Sequence, residues 1–300
     1  MSDLISSGSN GIEKEVEALV QNQKCVVFMG SGLSIPPSAE WSKTVKKFAK
    51  DIGVHFHKGK EKEVIDECIE KNNIEFESKF SKEFPKDTAT LRTAYVYLFQ
   101  LNFKAWVTTN FDPWFHNITL GNKIETYKYP YVPMNNGISN GLFYIHGYFD
   151  SEGKNCLARD LVFGKKSFDE AYGSSSLLPG FLINLFTCEN ILFVGFDPTE
   201  KYISTIIENS NRIRENLIKK QIRTEISTPK RFIMKEIYTG TDTEKKKEWE
   251  SKVDSYRSLD IIPFLYDPID EGRSGLEKKF RNWVERSDRQ LTPFKRVFEQ

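Results

Sequence analysis

The sequence predicts an α/β fold in which a mostly parallel sheet is covered by helices, and three observations carry that expectation. Short runs at Cys25–Met29, Trp106–Thr109, Phe143–Ile145 and Ile191–Val194 are largely apolar, the first of them throughout, and lack the alternation of a half-exposed strand. Such runs suit strands buried on both faces. Segments with helical period separate them, which implies parallel pairing through crossovers. Each run also stops on glycine or a polar group: Gly30-Ser31-Gly32, Asn110-Phe111-Asp112, His146-Gly147 and Gly195-Phe196-Asp197. The carboxyl ends of parallel strands are where an open sheet of this class binds its ligand.

In chain order, residues 1–10 are polar and rich in glycine and serine, and are expected to form a flexible lead-in to a single domain over 11–300. Ile12, Val16, Leu19 and Val20 share one helical face, so helix is expected from Gly11. The first strand follows. Beyond Pro36-Pro37, Trp41, Val45, Phe48 and Ala49 share a face, as do Leu91, Tyr95, Leu98 and Phe99; the stretch 38–103 reads as a helical insertion. After the second strand, Pro130, Pro133, Asn135-Asn136-Gly137 and Asn140-Gly141 mark a loop-rich stretch. Residues 164–186 read as helix broken at Gly173-Ser174-Ser175-Ser176 and at Pro179-Gly180. A helix over 200–219 carries Ile203, Ile206, Ile207 and Ile213, and strands at 231–237 and 261–266 flank a charged helix over 244–259. A last helix is expected over 276–286.

Lysine and arginine number 43 against 42 acidic residues, so no net field favours nucleic acid or anionic lipid. Cys25, Cys68, Cys156 and Cys188 form no C-x-x-C pair, and no metal site is read. Cys25 and Cys188 read as small buried hydrophobes, in keeping with a reducing cytoplasm. His55-Phe56-His57 reads as a surface loop. No leader segment or membrane-length apolar run is present, so a soluble cytoplasmic protein is expected.

Each polar strand end admits two readings. Gly30-Ser31-Gly32-Leu33-Ser34 suits close approach to a pyrophosphate, or is an ordinary tight turn; Ile35 stands where a third fingerprint glycine would fall. Asn110 is a turn former or a reacting amide, Asp112 a cap or a site carboxylate, and His146 a satisfied buried histidine or a base. Their joint occurrence along one sheet edge favours a site.

Taken together, Gly30-Ser31-Gly32-Leu33-Ser34, Thr108-Thr109-Asn110-Phe111-Asp112, Ile145-His146-Gly147 and Leu192-Phe193-Val194-Gly195-Phe196 resemble the sirtuin-like domain of the bacterial NAD-cleaving branch, as in Thoeris and related anti-phage effectors. The resemblance implies a Rossmann-like sheet with an inserted helical lobe, NAD across the carboxyl edge and scission of the nicotinamide–ribose bond. It implies that Asn110 and His146 are the catalytic pair with Asp112 in support. Gly30, Ser31, Gly32 and Ser34 match the loop that contacts the dinucleotide, and Thr109, Gly195, Phe196 and Asp197 are assigned to binding with them. Ser31 replaces the usual alanine, and Asp197 stands where many relatives carry serine. The Phe-Arg pair and the zinc cysteines of the deacylating branch are absent.

The expected activity is therefore NAD glycohydrolysis to nicotinamide and ADP-ribose, with NAD as substrate and no metal. The expected setting is a toxic effector that depletes NAD in anti-phage defence. NAD-dependent protein deacylation and non-catalytic sensing of NAD or ADP-ribose are the alternatives. Regulation is expected from homo-oligomerisation or a separate regulatory or sensor protein. Neutral imidazole, with an ordinary pKa of about 6.5, would let His146 take a proton near neutral pH.

Overall fold

The computed structural model describes residues 2–34, 41–83, 93–111, 124–133, 138–148, 161–222, 224, 228–268 and 274–287. Among the described residues, seven strands form one sheet: β1 (Cys25–Met29), β2 (Ala105–Thr108), β3 (Glu125–Lys128), β4 (Gly141–Tyr144), β5 (Asn190–Val194), β6 (Arg231–Glu236) and β7 (Ile262–Tyr266). Their order is β3-β4-β2-β1-β5-β6-β7, and every pairing is parallel.

The period of two in each strand builds the two cores. Cys25, Val27 and Met29 point into one, together with Leu192, Val194, Phe232 and Met234. Val26 and Phe28 point into the other, with Ile191, Phe193 and Ile233. Helices α1 (Ser2–Gln21), α5 (Thr93–Gln100) and α10 (Ser274–Arg286) cover the first face through Val16, Leu98 and Trp283. Helices α7 (Leu178–Cys188), α8 (Lys201–Lys219) and α9 (Thr243–Ser258) cover the second through Phe186, Ile207 and Tyr256. Each such side chain, fully buried, is worth about 1.5–3 kcal/mol. The central strands need apolar residues at every position for this reason.

A third core lies apart from the sheet. Helices α3 (Trp41–Ile52) and α4 (Glu61–Glu83) pack Val45, Phe48 and Ala49 against Ile65, Phe76 and Phe80, and Leu161 and Phe163 close the cluster. Helix α4 is broken at Asn72, whose backbone is extended and whose Oδ1 accepts from Glu75 N at 3.2 Å, capping the second segment. The lobe is thus α3 with α4. Helix α5, expected to belong to the insertion, instead packs Tyr95 and Leu98 on the sheet.

Several local expectations are corrected. Helix α1 begins at Ser2, not at Gly11. Strand β3, read as loop, pairs with β4 at the sheet edge. Pro179 does not interrupt a helix but stands in the first turn of α7, where its missing N–H costs nothing. Ile213 lies on the outer side of α8, and Cys188 is exposed at the end of α7. Among the described residues, no helix is long and apolar enough to cross a membrane.

Candidate active site

The order of the sheet sets the site. From β1 the chain moves outward on one side through β2 and β4, then crosses to β5 on the other side, so the switch point lies between β1 and β5. Both strands end there on glycine. Gly30 N donates to Val194 O at 3.1 Å and Gly32 N to Gly195 O at 2.9 Å. A Cβ on Gly30 would stand 2.6 Å from Gly195 O, and one on Gly32 would stand 2.8 Å from Gly195 Cα. Gly195 itself has φ of +62°. The glycines thus let two strand-end loops touch, and the Gly30 and Gly32 amides expected to face a pyrophosphate are occupied by that contact. Ser31 is exposed in α2 (Ser31–Ser34), while the side chain of Ser34 lies outside the described residues.

Beside these loops, at the ends of β5, β6 and β7, lies a cavity of about 350 Å³ lined by Gly32, Gly195, Phe196, Asp197, Glu236 and Tyr266, among others. Asp197 is heavily engaged. Its Oδ2 pairs with Lys252 Nζ at 2.6 Å, and its Oδ1 accepts from Thr199 N at 3.1 Å and Thr199 Oγ1 at 2.8 Å. Burial opposes the charged carboxylate, but these donors prevail and hold its pKa below the usual value. Glu236, the last residue of β6, accepts from Tyr266 Oη at 3.2 Å. The sequence points to Asp197 as the acidic group at this edge; Glu236 is a second acidic strand end, and it lines the same cavity. The signal was present, since Lys235-Glu236 follows the apolar run Phe232-Ile233-Met234 as Asn110 follows Trp106-Val107.

On the other side of β1, Asn110 and His146 each lie two residues beyond the paired Thr108 and Tyr144. Ile145 N donates to Thr108 O at 3.0 Å, carrying the pairing past the strand ends. Gly147 N donates to Tyr144 O at 3.1 Å, so the chain turns at Ile145 and His146 directly after the strand. Thr109 N donates to Met29 O at 3.2 Å, and Asn110 N donates to Thr108 Oγ1 at 3.0 Å. Asn110 Nδ2 donates to Gly30 O at 3.0 Å and lies 3.3 Å from Tyr95 Oη. One predicted residue is thereby joined directly to another.

His146 is buried and meets a wall of aromatic rings. Its ring centroid is 5.1 Å from Phe168, 5.9 Å from Tyr172 and 6.4 Å from Phe111, the residue after Asn110. Nε2 and Tyr172 Oη are 2.7 Å apart. Burial drives the imidazole pKa down from 6.5 to about 3, and the Lys62 ammonium adds to the effect. The ring is neutral throughout the physiological range, rather than titrating within it. Asp112 lies outside the described residues. The remaining predicted residues divide between two places: Gly195, Phe196 and Asp197 line the cavity, whereas Asn110 and His146 do not. Tyr172, Lys62 and Glu236 were missed. Among the described residues, no group of three or more metal-ligating side chains occurs.

Residues 104–252 match the family model described as SIR2-like domain, a span that includes Asn110, His146, Asp197 and Glu236 and begins after the Gly30 loop. No curated protein matches the chain. With an all-parallel sheet, a switch point at β1 and β5 and this match, the chain contains a SIR2-like (sirtuin) domain.

Proposed function

We infer that the protein is an NAD glycohydrolase that releases nicotinamide and ADP-ribose. The observation that carries this reading is the pair of polar side chains, Asn110 and His146, at matched positions past two adjacent strand ends. The cavity beside the switch point supports it, because its position suits the adenosine half of the dinucleotide, with the Glu236 carboxylate available to accept ribose hydroxyls. Asp197, already held by Lys252 and Thr199, is less suited to that task than its sequence position implied.

In the reaction the C1′–N bond breaks and nicotinamide leaves with the electron pair as a neutral amide. Water then forms the C1′–O bond and gives up one proton. Charge that develops on the ribose is the main cost, so a fixed polar environment and a modest base suffice. Asn110, tied to Gly30, is positioned to orient the ribose or the water. An imidazole that is always neutral is always in its basic form, and since burial makes it a weaker base than a free one, its assistance rests on position more than on basicity. The proposed setting is a toxic effector of anti-phage defence, restrained by self-assembly or by a partner protein.

Incubation with NAD followed by mass spectrometry of the products tests this reading. Nicotinamide and ADP-ribose should appear without added peptide, and His146→Ala should lower the rate by about two to four powers of ten. Release that requires an acyl-lysine peptide would replace hydrolysis with deacylation. Tight NAD binding without turnover would point to a sensor.

A further inference from the structure

Three residues spaced by four along α4, Lys62, Asp66 and Glu70, contact the segment around His146: Lys62 meets the aromatic wall itself, while Asp66 and Glu70 hold the start of the helix that carries Phe168. Lys62 Nζ bonds Glu200 Oε1 at 2.7 Å, lying 3.6 Å from the centroid of the Phe168 ring and 4.7 Å from that of Tyr202. Asp66 Oδ2 accepts from Lys166 N at 2.9 Å, and Glu70 pairs with Lys166 Nζ. Lys166 belongs to α6 (Lys165–Ala171), whose N-cap, Gly164, has no side chain to offer. Asp66 supplies the missing cap from the lobe. A Cβ at Gly164 would stand 2.0 Å from Asp66 Oδ1, so the glycine is what admits the carboxylate. At the other end of α6, Phe168 and the C-cap Tyr172 face His146.

A histidine that serves as a base needs one bare ring nitrogen, and the bond made by the other decides which one it is. Nε2 is occupied by Tyr172. We propose that Tyr172 is a positioning residue for His146, holding Nε2 so that Nδ1 accepts the proton, and that the inserted lobe sets Tyr172 by capping its helix with Asp66. In this arrangement Nε2 carries the hydrogen and donates to Tyr172 Oη. Burial and the nearby Glu200 push the ionisation of the phenol up, so Tyr172 stays neutral. Among the described residues, the titratable groups that act on the imidazole are Tyr172, just past α6, and Lys62 from α4; behind Lys62 stand Glu200 and Tyr202 at the start of α8, with Asp169 of α6 bonded to Tyr202. The inference rests on the proposed hydrolysis only for its kinetic arm.

The test joins histidine-labelled NMR with kinetics on the full chain. Long-range ¹H–¹⁵N spectra should show His146 protonated at Nε2 and bare at Nδ1. Tyr172→Phe keeps the ring but removes the oxygen, so it should lower kcat about ten- to hundredfold with little change in KM and displace the pH profile. Asp66→Ala should act in the same direction, and Asp66→Asn, which keeps an acceptor for Lys166 N, should restore the rate. A wild-type imidazole protonated at Nδ1 would overturn the proposal whether or not NAD is cleaved. So would Tyr172→Phe with unchanged spectra and kcat. A protein that leaves NAD intact but shows the expected Nε2 proton would remove the proposed activity and leave the positioning contact standing.

Discussion

Asn110 Nδ2 donates to Gly30 O at 3.0 Å, so the residue assigned to chemistry also ties the end of β2 to the loop after β1. The contact is buried, and its donor sense matters. Asn110→Ala removes the tie and should cost about 1–2 kcal/mol, while Asn110→Asp sets a carboxylate oxygen against a carbonyl oxygen and should cost about 3 kcal/mol or more. Urea midpoints should fall in the order wild type, alanine, aspartate. An aspartate variant as stable as the wild type would mean that the amide does not donate there.

His146 should make stability depend on pH in a defined window. The unfolded imidazole titrates near 6.5 and the folded one near 3, so between these values the unfolded chain binds the proton first. Its contribution is complete above about pH 6.5 and is lost as pH falls toward 3, at up to about 1.4 kcal/mol per pH unit. Unfolding free energies between about pH 7 and pH 5, above the range where most carboxylates titrate, should show this slope in the wild type. His146→Asn should flatten it. Equal slopes in the two proteins would place the imidazole in contact with water.

The glycines at the switch point should resist even a methyl group. In Gly32→Ala the new carbon meets backbone, which cannot swing away, and in Gly195→Ala a positive φ adds to the crowding. Each should cost about 1–3 kcal/mol, with Gly195→Ala the worse by about 1 kcal/mol. Gly11→Ala is the contrast, because nothing lies within 4 Å of a Cβ there and α1 is helical at that point. That substitution should stabilise by up to about 1 kcal/mol. Thermal midpoints moving the same way in all three would show that helix propensity, not loop contact, governs these positions.

The four central strands β1, β2, β4 and β5 were legible because burial on both faces demands largely apolar residues, and β1 and β5 carry them at nearly every position. Strand β3 gave no such signal, since Glu125-Thr126-Tyr127-Lys128 pairs with β4 alone and is half exposed. Periodicity located the buried face of α5 but not its partner; Leu98 repeats in the same way whether it meets a lobe or a sheet. The polar strand ends Asn110, His146 and Asp197 could be read because strand and ligand edge are adjacent in sequence. Tyr172, Lys62 and Asp66 could not, since Tyr172 reaches His146 from α6, and Lys62 and Asp66 reach α6 only through the packing of a separate lobe.

Glu236 offers the sharpest division between binding and chemistry. It lines the cavity at the end of β6 with Tyr266 Oη on one oxygen, far along the sheet edge from β2 and β4. If it accepts the adenosine ribose hydroxyls, Glu236→Ala should raise KM for NAD by about tenfold, the effect of one charge-assisted hydrogen bond, and leave kcat within a factor of about two. The same carboxylate would repel a 2′-phosphate, so the wild type should prefer NAD to its phosphorylated counterpart and the variant should lose much of that preference. Steady-state rates with both dinucleotides measure this directly. A fall in kcat with KM unchanged would move Glu236 from the binding of the adenosine half to the reacting end, and would require the dinucleotide to lie along the edge in the opposite sense.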